Sequence, residues 1–468
     1  MIMRWWGEAG RRWLLRAVGG PARLRVIAIL ACVLALDSAD KGTVGALGPE
    51  LKQSLHLSNT ELGSLIAVSS AMGGLAAIPV GILTDRVRRT GLLAVSIAVW
   101  SLATVAGGFA GSFAWLLLAR LVLGAATATA GPTLASLVGD YFPSAERARI
   151  YGFILSGELL GAGAGLLVGG NLGRLLGWRS AFWALGLTGI ALIVVIRRKL
   201  REPARGGHPS GAREGDARPP DPARSALRDG SVAPDPTRLL RRDPARMSIW
   251  EVTRYIFAIP TNVVLITTSA MGYFFYAGLR TFGVVFVERQ YHLAQGTLSG
   301  LAVLVGAGAL AGTLAGGRIA DRLIHRGRID ARLTVPAAAF LVSAGLFVPA
   351  LLTASVAIAL PLFTLAAAAL AASNPPVDAA RLDVVPFRLW GRAESVRTVL
   401  RMAAESIAPV TFGFLADLLS TGKALSATGL RWAFLITLVP LVVSAGILLL
   451  GRRTYPRDVA TAQAVGGR

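Results

Sequence analysis

The sequence predicts an all-α membrane protein with twelve transmembrane helices in two pseudo-symmetric six-helix bundles. Three observations predict it. Of 468 residues, 54% are hydrophobic and 16% are charged, and the mean hydropathy is +0.59. A soluble chain of this length has too few charges there to cover itself, whereas a bilayer solvates apolar surface freely. Apolar stretches of roughly 20 residues, each enough to cross a ~30 Å hydrocarbon core, recur along the chain. Two short motifs also recur at corresponding places of its two halves.

The chain opens with a basic segment, 1–23, carrying Arg4, Arg11, Arg12 and Arg16. No small-residue cleavage site follows, so the first apolar stretch reads as a retained span. Apolar stretches near 24–47, 60–82, 91–111, 113–137, 148–172 and 178–196 make an N-terminal bundle over 24–196. Lipid leaves each backbone amide to be satisfied within its own segment, so these spans are helices. Gly161, Gly163 and Gly165 in span five suit close helix approach. Cys32, the only cysteine, lies in span one and reads as a small packing residue.

Residues 197–248 are rich in Arg, Pro, Gly and Asp and predict a largely disordered cytoplasmic linker. From Ile249 the pattern fits a short interfacial helix that opens the second bundle, 249–451. Its spans fall near 258–287, 297–317, 333–351, 355–380, 393–419 and 430–451, followed by a cytoplasmic tail, 452–468. The net charge of +22 could signal nucleic acid. The arginines sit between apolar stretches, however, without the aromatic-basic interleaving that nucleic acid needs. Arg86, Arg88, Arg89, Arg147, Arg149, Arg318, Arg322, Arg326 and Arg328 occupy one set of gaps, whereas the opposite gaps of the first half hold little: Lys52, Arg174 and Arg179. That asymmetry predicts a multi-pass protein of the inner membrane with both termini cytoplasmic.

The repeats are Gly81-Ile-Leu-Thr-Asp85-Arg86 with Gly317-Arg-Ile-Ala-Asp321-Arg322, and Asp140-Tyr-Phe-Pro143 with Asp383-Val-Val-Pro386, the latter followed by Arg147 and Arg392. The run from Gly81 to Arg89 resembles the loop signature of the major facilitator superfamily, and Arg120 with Gly124 resembles its fourth-helix motif. Asp40-Lys41-Gly42-Thr43-Val44 resembles a run of the spinster branch. So do Asn374, Pro386 through Ala393, Glu405, Pro409, Gly413 and Asp417. The resemblance implies the major facilitator fold and a secondary transporter working by alternating access. It further implies proton-coupled export of an amphipathic or lipophilic substrate such as a lysophospholipid. Thr127 stands where that branch usually carries a glutamate, and Glu158 is an acid of this chain's own.

Ionisable residues at membrane depth cost about 2.5 kcal/mol or more each, so each is a functional candidate. Asp40, Arg120 and Arg280 lie about seven residues inside the outer ends of their spans, near 10 Å deep, and are expected to converge on a cavity. The bland alternative is a static charge cluster that locks helices together. Asp37 and Lys41 share a helix face with Asp40, and either aspartate suits the proton carrier. Glu158 and Glu405 offer one midplane carboxylate per half, with Glu158 a candidate to replace the missing helix-four acid. Arg397 and Arg401 suit a phosphate or carboxylate headgroup, or serve as lipid-facing anchors. Tyr273 and Tyr276, within Tyr273-Phe274-Phe275-Tyr276, suit an amphipathic substrate or plain packing. Asp85 with Arg86, and Asp321 with Arg322, read as conformational latches.

No nucleophile–base pair, phosphate-cradling loop or metal-ligand cluster is legible, so neither an enzyme nor a cofactor is expected; His56, His208, His292 and His325 read as loop residues. The expected partners are protons, a small amphipathic solute with lipids among the options, and the bilayer, for a monomeric protein that binds no nucleic acid. The alternatives are a multidrug/proton antiporter and, from another class, a lipid scramblase or a transport-inactive sensor.

Overall fold

The computed structural model describes residues 15, 18–57, 59–206, 232–240, 243–244, 247–293, 295–420 and 426–466. Every regular element among them is helical. In chain order these are α1 (Pro21–Ala46), α2 (Gly48–Leu55), α3 (Asn59–Arg86), α4 (Arg89–Gly108), α5 (Phe113–Thr127) and α6 (Ala130–Tyr141). Next come α7 (Arg147–Ala164), a π turn at Gly165–Gly169, α8 (Gly170–Leu176) and α9 (Trp178–Lys199). The second half holds α10 (Ile249–Ala258), α11 (Pro260–Tyr291), α12 (Gln295–His325), α13 (Ala331–Leu352), α14 (Val356–Ala372) and α15 (Asn374–Val384). It ends with α16 (Trp390–Leu418), α17 (Ala427–Thr437), α18 (Val439–Gly451) and α19 (Tyr455–Gly466).

Among the described residues, eleven helical stretches are long and apolar enough to cross a membrane. The first span, α1, is the twelfth; Arg23, Arg25, Asp37, Asp40 and Lys41 keep its hydropathy signal weak. All but one of the predicted span ends fall within about one helical turn of those observed. The exception is α12, which runs on to His325 because its polar end remains helical. Spans four and ten each break, at Ala128 and at Ser373, just before Pro132 and before Pro375 and Pro376. Proline lacks the amide that a continuous helix needs, so a step at these points is expected. Apolar side chains such as Leu102 (65%), Leu187 (62%) and Val410 (72%) stand exposed. So large an apolar surface is stable only against lipid.

Contacts divide the chain into two units. The first comprises residues 1–73, 87–143 and 153–219. Within it a stripe of three glycines, four residues apart, on α7 and the π turn meets α1. A Cβ on Gly157, Gly161 or Gly165 would collide with the backbone of Ala31, Ala35 or Ala39 respectively. Small residues permit that approach, and dispersion across it replaces the hydrophobic drive that lipid removes. Gly163 faces open space and takes no part. Leu47, Leu51, Leu65, Leu116, Trp178 and Phe182 form the apolar core at the α2 end.

The second unit comprises residues 74–86, 144–152 and 220–468. It thus takes the end of α3 and the start of α7 together with the second half of the chain. Gly308, Gly312 and Gly316 on α12 lie on the backbone of Thr364, Ala368 and Ala372 on α14. Its core is aromatic: Phe275 packs on Phe347 at 5.2 Å and Phe412 on Phe434 at 5.2 Å. The segment beginning at Ile249 forms α10, its first turn closed by a capping box between Ser248 and Glu251.

Most of the segment expected to be disordered, including 207–231, lies outside the described residues. Its two ends are held in place. On the first unit, Glu202 accepts from Arg89 Nε, Thr90 N and Thr90 Oγ1 at 2.8 Å each. On the second, Asp243 pairs with Arg388 at 2.8 Å and Arg238 with Asp458 at 3.0 Å. Polar contacts, rather than the apolar burial that the composition lacks, fix these ends. The histidines also differ from the loop reading. His56 and His292 close α2 and α11 in the left-handed conformation, at φ 52° and 51°. His325 is the last residue of α12, and His208 lies outside the described residues.

Candidate functional site

In the first unit, α1 brings Asp40 against Arg120 of α5, with Oδ2 and Nη1 2.5 Å apart. Both residues are buried, at 2% and 4% exposure. The Arg120 guanidinium also lies 5.1 Å from the centre of the Phe182 ring. A Cβ at Gly124, one turn on from Arg120, would collide with the Ser69 carbonyl, so α5 is held tightly enough to α3 to fix where Arg120 reaches. Neither Asp40 Oδ1 nor Arg120 Nη2 has a hydrogen-bond partner among the described residues. An ion pair buried this way is weak as glue, since desolvation offsets most of the attraction. Each partner retains one polar atom able to take a proton or a ligand oxygen.

Around the pair, Asp37 and Lys41 bind one another at 2.6 Å on the more open face of α1. Glu158 is partly buried on α7. Of the three charges expected to converge, Asp40 and Arg120 meet, while Arg280 belongs to the second unit and is exposed.

In the second unit, Glu405 lies 3.5 Å from Arg401, whose guanidinium sits 4.6 Å over the Tyr273 ring. Tyr276 crosses Tyr273 edge-on at 6.4 Å. Of the four consecutive aromatics, Phe275 is fully buried, Phe274 packs against Phe412 at 5.9 Å, and Tyr276 is exposed. One turn before Arg401, Arg397 is buried rather than reaching for lipid. It binds Glu394 at 3.1 Å, Asp378 at 3.4 Å and Ser269 at 2.9 Å. Arg381 completes this cluster by pairing with Asp378 at 2.7 Å and with Glu394.

The two signature aspartates sit in a polar network of the second unit. Asp85 Oδ1 accepts from Gly391 N at 2.9 Å, and Oδ2 from Arg392 N at 3.1 Å and Arg392 Nε at 2.8 Å. It thereby caps the start of α16, and the positive end of that helix favours an anion there. Asp321 accepts from Arg149 N at 2.7 Å, at the start of α7, and lies 3.5 Å from Arg332. Arg147 pairs with Asp383 at 2.9 Å, and Arg332 with Asp383 at 3.1 Å. Arg86 and Arg322 are exposed, and the guanidiniums that meet these aspartates are those of Arg392 and Arg332.

Arg392, Asp383, Arg332, Asp378, Arg381 and Glu394 were not singled out as site residues from sequence. The positive-inside count absorbs arginines at span ends, and only the repeat, which paired Asp140 with Asp383 and Arg147 with Arg392, pointed their way. That repeat is chemical as well as sequential. Arg89 binds Asp140 in the first unit as Arg332 binds Asp383 in the second.

The Major Facilitator Superfamily model matches residues 30–409. The chain belongs to the Major Facilitator Superfamily. As a member of this superfamily it is a multi-pass membrane protein of a transporter family. It is similar to a probable L-galactonate transporter of Escherichia coli, 28% identical over 37% of this chain and 38% of the relative. A probable galactarate/D-glucarate transporter, GudP, of Bacillus subtilis is 26% identical over 65% and 66%. A gallate transporter of Pseudomonas putida is 29% identical over 38% and 40%. The chain thus spans between about two-fifths and two-thirds of the length of these curated relatives. Among solved structures, a bacterial homolog of the human lysosomal transporter Spinster, inward-facing and unoccupied, shares the fold with a TM-score of 0.60. It is 23% identical over 94% of this chain and 98% of its own. FucP in the outward conformation shares it with a TM-score of 0.65 and 13% identity over 91% and 98%.

Proposed function

We propose that this Major Facilitator protein carries a small organic carboxylate together with a proton, by alternating access across the inner membrane. The observation that carries this reading is the buried Asp40–Arg120 pair, with one carboxylate oxygen and one guanidinium nitrogen unsatisfied. While Asp40 is ionised it neutralises Arg120. A proton on Asp40 removes that charge and leaves Arg120 cationic in a low-dielectric site, where a carboxylate restores neutrality. Proton and anion therefore favour one another's binding, and the linkage is reciprocal. Relatives named for galactonate, galactarate, glucarate and gallate, all acids, support an anionic substrate.

Arg401, stacked on Tyr273 and shared with Glu405, is the anion receptor of the second unit. It is less buried than Arg397, whose guanidinium already has two carboxylates. Asp37, Glu158 and Glu405 are auxiliary proton acceptors, and Arg280 with Lys41 attracts the anion. Asp85 and Asp321 act as latches that hold one conformation while their bonds last. The protein acts as a monomer with both termini cytoplasmic.

A second reading is proton-coupled export of an anionic lysophospholipid. The Tyr273 and Tyr276 rings beside Arg401 favour it, since rings and a cation match a tail and a headgroup. Proteoliposomes distinguish the two. With an outside-acid gradient, external galactonate, glucarate or gallate should drive proton entry, abolished by Arg120→Gln. Proton movement on adding lysophosphatidic acid alone would instead favour lipid export. Gradient-independent lipid equilibration would indicate a scramblase, and response to cationic dyes only a drug antiporter.

A further inference from the structure

The C-terminal helix α19 is amphipathic in an unusual sense: its inward face buries polar groups. Tyr455 and Asp458 are each 2% exposed and Thr461 is 4% exposed. A chain terminus is ordinarily frayed unless something ties it down, and each of these three side chains has a partner. The Thr461 hydroxyl accepts from Asp235 N at 2.8 Å. Asp458 accepts from Arg238 Nη1 and from Thr261 N, each at 3.0 Å. α11 begins at Pro260, and its own N-cap position, Ile259, offers no side-chain acceptor. Asp458 fills that role from the far end of the chain, as an anion at a helix N-terminus.

Tyr455 reaches further. Its hydroxyl donates to Asp383 Oδ2 at 3.0 Å. The same carboxylate receives Arg147 on Oδ1 at 2.9 Å and Arg332 on Oδ2 at 3.1 Å. One aspartate is therefore divided between two arginines. Arg332 belongs to α13, a neighbour within the second half, whereas Arg147 opens α7 and carries the start of span five. Without the Tyr455 hydroxyl, Asp383 is less constrained to keep Oδ1 on Arg147 and can turn toward the fully buried Arg332. The Tyr455 hydroxyl engages Oδ2 and leaves Oδ1 presented to Arg147.

We propose that Tyr455 and Asp458 are positioning residues of the latch. α19 orients Asp383 toward Arg147, so the C-terminal tail sets how firmly the 144–152 segment is held. This rests on the latch reading of Asp85 and its network. It adds that the last described helix works on that network through a single hydroxyl, with Asp458 fixing where the helix sits.

The test uses full-length protein carrying Cys32→Ser and one reporter, Ser395→Cys. Ser395 is fully buried on α16, with Gly81 of α3 lying directly on it, and so becomes reactive only when that packing opens. Ser101→Cys, fully buried on α4 of the first unit, reports general loosening. Tyr455→Phe should raise maleimide labelling at 395 on the order of tenfold, as expected for losing one hydrogen bond to a charged acceptor, and leave labelling at 101 unchanged. Asp458→Asn should do the same by another route, and it serves if the phenylalanine variant folds poorly. Asp85→Asn is the comparison that tests the latch itself. If Asp85→Asn raises labelling at 395 while both tail variants leave it unchanged, the tail proposal is overturned and the latch stands. Unchanged labelling in Asp85→Asn would sink the latch reading and the proposal with it. An equal rise at 101 would reduce the tail effect to loss of stability and overturn the proposal.

Discussion

Among the described residues, Asp40 and Arg120 each retain an unpaired polar atom while buried in a membrane-spanning bundle, and that combination is unstable to either loss alone. Asp40→Asn leaves a buried cation without its counterion, at an expected cost of about 3 kcal/mol or more. Arg120→Gln leaves the carboxylate, which can take up a proton and lose less. The double variant Asp40→Asn with Arg120→Gln is therefore expected to be more stable than Asp40→Asn, measured as melting temperature in one detergent. A double variant less stable than either single would mean that the pair is held mainly by hydrogen bonds to its surroundings. These two residues were legible from sequence because charge inside an apolar stretch is rare enough to need a reason. Arg392, Arg332 and Asp383 were not, since arginines at span ends are what positive-inside bias already explains. Which carboxylate meets which guanidinium depends on helix rotation, and spacing does not encode that.

Helix contacts repeat this contrast between what periodicity carries and what it omits. The stripe Gly157, Gly161 and Gly165 places α7 on the α1 backbone, so Gly161→Leu should wedge the two apart. Loss of folded yield and a melting temperature lower by several degrees are expected, whereas Gly163→Leu, facing open space, should be neutral. Equal effects at 161 and 163 would contradict the packing. Span positions were readable because about 20 apolar residues can do little else in lipid. The ends of the linker were not readable, because a few hydrogen bonds hold them.

Glu202 gives those bonds a pH dependence. Burial pushes its carboxyl up, but hydrogen bonds from Thr90 and Arg89 and the Arg89 charge outweigh it and hold the group below the ordinary carboxylate range. A depressed folded value means that this contribution is complete above the unfolded value, about 4.3, and is lost as pH falls through the lower folded one. Hydrogen exchange over 200–206, corrected for intrinsic rates, should therefore be flat from about pH 5 to 8 and rise only in stronger acid. Glu202→Gln should raise it at neutral pH.

Across the whole molecule, two copies of one chemical plan have diverged in use. Arg89–Asp140 in the first unit is joined by Glu202, a linker residue, whereas Arg332–Asp383 in the second is joined by Arg147 and Tyr455. Asp383→Asn takes a carboxylate from two arginines at once, Arg147 and Arg332, and leaves Arg332 the longer 3.5 Å ion pair with Asp321. Asp140→Asn leaves Arg89 still paired with Glu202. The former should cost more, and a reversed order in melting temperature would show that the shared aspartate matters less than its count of partners implies. The superfamily was legible at this scale because the duplicated signature lies in the sequence itself. Substrate class was not, because a headgroup receptor and an internal ion pair use the same arginines.

The central claim is that protonation of Asp40 releases Arg120 for an anion. Its most direct test compares two fluxes in Asp40→Asn proteoliposomes for whichever of galactonate, glucarate or gallate the native protein carries. Counterflow exchange without a gradient should persist within about a few-fold, since the asparagine mimics the protonated state, while accumulation driven by an outside-acid gradient should vanish. Accumulation that survives in Asp40→Asn would place the coupling proton elsewhere and contradict the account.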